Sequence, residues 1–229
     1  MNQLAVEDRY LHRMAIKASK AIQARVAKEP RFAATAVRGL MGTGGAVNFD
    51  QATKTKTIEK IVADADQDAL RELVPMFEQL MWRPGVSDEK VAASNRQYIA
   101  GLLLSIVRAK ASTGQGDVEE DYQVIIEQIL SIFVRSAYLM DDGTKSTAAE
   151  PAFSQATQEL LRNRINSSLN SLLASQKYAA AIPYAVVKQI RDGAKSGEHG
   201  KFIINMDDKL QDSVKTAFKS LKKLSSKVS

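Results

Sequence analysis

The feature that most constrains this chain is the spacing of its apolar residues. Leu11, Met14, Ala15, Ala18, Ile22 and Val26 recur at i, i+3, i+4 and i+7. So do Leu70, Leu73, Val74, Phe77, Leu80 and Met81, and the pattern returns in Tyr98, Ile99, Leu102, Leu103, Ile106 and Val107. It continues in Tyr122, Ile125, Ile126, Ile129, Leu130 and Phe133, in Leu160, Leu161, Ile165, Leu169, Leu172 and Leu173, and in Leu210, Val214, Phe218 and Leu221. A helix presents such a set as one stripe, whereas a half-buried strand needs period two. Phe202-Ile203-Ile204 is the one short β-like run. The expectation is an all-α fold of about nine helices.

Punctuation places the elements. The first helix is expected from about Leu4 to Lys28 and is limited by Pro30, because the residue before proline avoids the helical region. A short helix then covers Phe32 to Leu40 and ends in glycines. Asp66 reads as an N-cap for the Leu70 to Met81 stripe. Pro75 inside that stripe predicts a kink or break near Leu73. Ser87 or Asp88 opens a long helix to about Lys110, and Asp117 opens the next. Glu119, Glu120 and Asp121 crowd that first turn, where the helix dipole stabilises anions by about 0.3–1 kcal/mol each. Asp141 to Ser154 is the longest weakly apolar connection, and Pro151 suits a first helical turn. Pro183 opens a shorter helix that ends at Gly193. The expected organisation is one α-helical repeat domain over 1–229, with 1–140 and 151–229 as candidate sub-units. Helical pairs recur at very roughly 35–45 residues, which fits a HEAT- or armadillo-like α-solenoid. No repeated sequence motif accompanies that spacing, and an irregular helical bundle stands beside it.

Composition enters through charge and through what is absent. The net charge is +6. Residues 1–31 carry seven Lys/Arg against three Asp/Glu, and residues 185–229 carry ten against five. The segment between carries fifteen against eighteen, so two basic ends flank a slightly acidic middle. Basic ends favour polyanions, and they equally suit a merely soluble surface. The absence of cysteine excludes disulfides and thiolate metal sites. The longest uncharged apolar runs, Ile99 to Val107 and Tyr178 to Val187, are about half a membrane span, and no signal-peptide segment is expected at the start.

Catalytic constellations are thin. The two histidines are His12, among charged residues, and His199, in Gly197-Glu198-His199-Gly200, and neither has a second histidine at metal-ligand spacing. Asp141-Asp142, Asp207-Asp208 and the pair Asp64 and Asp66 read as helix ends rather than paired metal ligands. No catalytic residue, cofactor or metal site is expected.

One stretch departs from the helical pattern. Met41 to Thr57 holds three of the 12 glycines within four residues, followed by a Thr/Lys alternation. A Walker loop fails because Gly45 and Ala46 stand where Lys and Ser/Thr are needed, and a dinucleotide fingerprint fails at Val47. Gly42 to Gly45 are expected to supply positive φ angles that end a helix, with Phe49 anchoring the returning chain. Lys54 and Lys56 would share one face of an extended segment, with Thr53, Thr55 and Thr57 on the other. Hydroxyls and ammonium groups together suit phosphate or carboxylate contacts, and the hydroxyls equally suit capping of the helix through Ile58 and Ile61. The second candidate surface is Lys215, Lys219, Lys222 and Lys223, rotated by about one residue from the stripe of the last helix. That polarity suits the helix dipole as well as a polyanion.

The segment from Asn48 to Ile61, with its Phe49-Asp50 and Thr53-Lys54-Thr55-Lys56-Thr57, resembles the DNA polymerase V (polymerase phi) / Myb-binding protein family. The resemblance implies a fragment of a large nucleolar protein on an α-helical repeat architecture. It implies ribosomal DNA binding and a part in ribosomal RNA production and ribosome assembly, without polymerase activity. Expected partners are ribosomal DNA or pre-ribosomal RNA and protein particles, with no membrane role. From another class, a protein-binding helical adaptor without nucleic-acid contact fits the same residues.

Overall fold

The structure is a computed structural model. It describes residues 9–42, 45–82, 86–112, 122–138 and 153–175, together with 178–179, 182–184, 186–188, 212, 215–216, 218–220 and 222–223. The protein is all-α, as the apolar period requires, and no strand occurs among the described residues. Eight α-helices have defined bounds: α1 (Arg9–Lys28), α2 (Ala33–Met41), α3 (Phe49–Thr53), α4 (Thr57–Asp64), α5 (Gln67–Trp82), α6 (Glu89–Ser112), α7 (Gln123–Tyr138) and α8 (Gln155–Leu173). A 3-10 turn, Pro30–Phe32, joins α1 to α2. Two compact units form, Met1–Ala109 and Lys110–Ser229.

In the first unit, α4 packs against α1 and α2, and α5 packs against α2 and the 3-10 turn. Val26, Val37, Met41, Phe49, Ile58, Ile61, Leu70, Leu73, Phe77 and Met81 are buried between them. Each large side chain taken fully out of water contributes about 1.5–3 kcal/mol. Two of the aspartate caps read from the sequence, Asp66 and Asp88, are formed, and Asp117 lies outside the described residues. The Ala69 N–H donates to Asp66 Oδ1 at 2.8 Å, and the Lys90 N–H donates to Asp88 Oδ1 at 2.8 Å. In the second unit α7 packs against α8, burying Ile125, Ile126, Ile129, Leu130 and Phe133 against Leu161, Ile165 and Leu172. Ser154 caps α8 by accepting the Thr157 N–H, three residues beyond Pro151, and the proline lies outside the described residues.

Three expectations need correction. Of the kink or break expected near Leu73, the break does not occur: α5 runs continuously from Gln67 to Trp82. Proline removes the bond to the carbonyl four residues back, that of Arg71, and both residues are exposed. Water can serve that carbonyl while buried Leu73, Val74, Phe77 and Met81 hold the helix on both sides. Among the described glycines after α2, Gly42 and Gly45, neither is left-handed, and Gly44 lies outside the described residues. Gly42 is extended, at φ −77° and ψ −160°. A Cβ on Gly42 would collide with the Arg38 carbonyl, and one on Gly45 with the Leu40 carbonyl, so close backbone approach is the reason for glycine. Finally, Leu173 is 66% exposed, and the α8 stripe runs through Leu161, Ile165, Ser168 and Leu172 instead.

Arg96 is the largest fully buried side chain among the described residues. Its Nε donates to the Met81 carbonyl near the end of α5 at 3.2 Å, and its Nη1 to Glu89 at 2.8 Å. The guanidinium thus satisfies a helix-terminal carbonyl from the neighbouring helix, which compensates for burying the charge.

Candidate functional site

The threonine-lysine segment is built by α3, one left-handed residue and the start of α4. Phe49 is buried, fixing α3 in the core. The helix ends at Lys54, which takes φ 54° and ψ 38°. This is the one positive φ at a non-glycine residue among the described residues. The Thr55 N–H then donates to the Asp50 carbonyl at 2.9 Å, closing the turn.

Asp50 organises the start of α4. Its carboxylate is buried, and it lies over the N-terminus of that helix. Oδ1 accepts the Ile58 N–H and Oδ2 the Glu59 N–H, both at 3.0 Å. Oδ1 also accepts the Thr55 hydroxyl at 3.2 Å. A helix start offers free N–H groups and a partial positive charge, so a carboxylate there gains charge-assisted bonds. The threonines join this network. Thr57 donates to Thr55 at 3.1 Å, Thr53 donates to the Phe49 carbonyl at 2.7 Å, and the Thr53 and Thr55 oxygens lie 2.9 Å apart. Gln23 of α1 donates to Thr57 at 3.0 Å, tying the cluster to the first helix. Tyr98 of α6 reaches the same place. Its phenol oxygen is buried and has no well-formed hydrogen bond. Burial, followed by the nearby Asp50 charge, pushes the Tyr98 pKa up.

The two lysines point the other way. Lys54 and Lys56 are exposed, and Lys56 lies 3.5 Å from Glu59. The expected separation of threonines from lysines is therefore present, produced by a left-handed residue rather than by an extended strand. The hydroxyls are engaged inside the protein, and the cap on α4 is Asp50. Sequence reasoning passed over that residue although it adjoins the anchoring Phe49. Its signal was an acid seven residues before a helix start that lacks a capping side chain of its own.

Lys215, Lys219, Lys222 and Lys223 are all exposed on helical backbone. Lys215 lies 3.1 Å from Asp212, and Phe218 is half-buried with its ring 5.3 Å from that of Tyr184. Leu210, Val214, Leu221, Asp207 and Asp208 lie outside the described residues. So do Asp117, Asp141, Asp142 and His199. A further basic element is α1, which carries Arg9, Arg13, Lys17, Lys20, Arg25 and Lys28 and no carboxylate. Among the described residues no three His, Asp or Glu side chains gather as metal ligands, and no helix is long and apolar enough to cross a membrane.

These observations define an all-α protein whose conspicuous motif is a buried capping junction and whose candidate contact lysines are exposed. The chain belongs to the DNA polymerase phi family, whose sequence profile matches residues 1–229. It is similar to the rDNA transcriptional regulator pol5 of Schizosaccharomyces pombe (strain 972), at 27% identity over 240 residues. That match covers 100% of this chain and 24% of the relative, so the chain spans about a quarter of that protein's length. No solved structure matches.

Proposed function

We propose that this chain is part of a non-enzymatic helical-repeat scaffold of the nucleus and nucleolus. It acts in ribosomal DNA transcription and ribosome biogenesis, with ribosomal DNA or pre-ribosomal RNA and protein particles as partners. The observation that carries this reading is the match along the whole chain to a relative named as an rDNA transcriptional regulator. Surface chemistry supports it. The exposed lysines at 215, 219, 222 and 223 suit phosphate contacts, as do Lys54 and Lys56 beside the Asp50 junction.

The functional test is made in cells that carry the full-length parent. Replacing Lys215, Lys219, Lys222 and Lys223 with Gln should lower its crosslinking to ribosomal DNA and the synthesis of pre-ribosomal RNA, at unchanged protein level. In vitro, binding of the chain to duplex DNA should weaken with salt at a logarithmic slope of about 0.9 per phosphate contact, or about 0.7 for single strands. The same Gln variant should flatten that slope. Unchanged crosslinking and slope would leave the lysines as a solvated face. Lys54→Ala with Lys56→Ala separates contact from architecture: lost binding at an unchanged melting temperature supports contact.

An adaptor that binds protein without nucleic acid is the second reading. One observation favours it, an open apolar groove between α1 and α2.

A further inference from the structure

Helix α1 has two apolar faces. One is in the core, where Ser19 and Val26 are buried and Gln23 bonds to Thr57. The other is open. Met14 is 50% exposed, Ala18 and Ala21 are exposed, and Ile22 is half-buried. These four follow one another at i, i+4, i+7 and i+8, a second stripe along the helix. A groove of about 700 Å³ is lined on α1 by Ala21, Ile22, Arg25 and Val26 and on α2 by Thr35, Ala36, Gly39 and Leu40, with Phe32 at the end between the two helices. Its walls combine large apolar groups with small ones, and small residues let another helix approach closely. Gly39 is exposed, and a Cβ on it would meet nothing within 4 Å.

Charge selects the occupant. Lys17, Ala21, Arg25 and Lys28 follow one another at i, i+4, i+8 and i+11, so Arg25 lines the groove and Lys17 and Lys28 flank it along the same row of α1. Lys17 and Lys28 are exposed and have no ion pair among the described residues. Arg25 is shared between Glu29 and the face of Phe32. Like charges along one helix repel, and α1 holds six with no carboxylate among them. We infer that this groove docks an amphipathic helix of a partner protein whose apolar stripe is flanked by Asp or Glu. The apolar stripe would cover Ile22, Phe32 and Leu40, and the acids would meet Lys17, Arg25 and Lys28. A nucleic-acid backbone would satisfy the cations and leave the apolar walls uncovered. A second copy of this chain would bring two cationic α1 helices together. This docking role is independent of the nucleic-acid contacts proposed above, and either can fail alone.

The test uses residues 1–229 and a displayed library of 18-residue helices. The library has a fixed Leu/Ala stripe, and the flanking positions vary between Glu and Lys. Wild type should enrich Glu at the flanks, and the selected peptides should bind less tightly as salt rises. Gly39→Leu places a side chain in the groove from a position where its Cβ has open space, and should weaken binding at least tenfold with the melting temperature retained. Lys17→Glu with Lys28→Glu should turn the preference toward Lys. The docking proposal is overturned by no enrichment, by enrichment of Lys on wild type, or by binding indifferent to Gly39→Leu. It is equally overturned if wild type sediments as a dimer that Gly39→Leu disperses. Duplex DNA or RNA binding that Gly39→Leu abolishes would assign the groove to nucleic acid and also overturn it.

Discussion

Between Phe49 and Glu59 the protein turns its hydroxyls and its Asp50 carboxylate inward; along α1 every described cation turns outward. Both regions look like polar signals in the sequence. The first is consumed by its own structure: Thr53, Thr55, Thr57 and Asp50 bond to one another, to the backbone and to Gln23. The second keeps its charge for solvent or a partner, with Arg25 alone among the described cations of α1 held by an ion pair. A conspicuous motif can thus be architecture, while an unremarkable helix carries the free chemistry. What separates the two is whether the backbone nearby has unmet N–H groups. The start of α4 has them, and the flank of a helix does not.

Breaking the inward region should cost most at its centre. Asp50→Ala removes the acceptor of two backbone N–H groups and one hydroxyl, and is expected to destabilise the protein by about 2–4 kcal/mol in urea unfolding. A loss below about 0.5 kcal/mol, the scale of surface changes, would erase the contrast with α1. Thr57→Val leaves the Gln23 amide without its acceptor and should cost about 1–2 kcal/mol by the same measurement.

Tyr98 sharpens the comparison through pH. Removing its unsatisfied buried hydroxyl by Tyr98→Phe should stabilise the protein by about 1 kcal/mol at neutral pH. The folded pKa is raised above the unfolded value of about 10. The unfolded chain therefore releases this proton first. This titration leaves stability unchanged below about pH 10 and lowers it as pH rises above that value. Unfolding curves of wild type and Tyr98→Phe should accordingly diverge above about pH 10, with the variant the more stable. Parallel curves there would remove Tyr98 from the Asp50 cluster. The smallest effect belongs to Lys54. Its left-handed backbone suits glycine, so Lys54→Gly should gain about 0.5–1 kcal/mol in melting experiments, and a loss would mean that its side chain is engaged.

The stripes of α5, α6 and α7 were legible because helical period is a local property, and so were the Asp66 and Asp88 caps, which adjoin the helices they serve. Asp50 was hidden because it caps α4 through space, from another helix. Pro75 does not end α5, because a break depends on whether the orphaned carbonyl finds water, which only the fold decides. The excess of cations over residues 1–31 was readable from the sequence. The groove beside them was not, since it exists only once α2 is laid against α1.

The Asp50 junction also bears on the order in which the chain assembles. The carboxylate meets its two amide partners across eight and nine residues of chain, whereas the Tyr178 hydroxyl in the second unit accepts the Tyr122 N–H across 56. Closing a loop of about ten residues takes on the order of 10–100 ns. The entropy lost on closure grows with the logarithm of loop length. The α3–α4 turn is therefore a contact the unfolded chain samples early and often, and each visit holds the start of α4 in place while Ile58 and Ile61 find their apolar partners. A segment that reads in the sequence as a binding motif becomes, in time, a place where folding can begin.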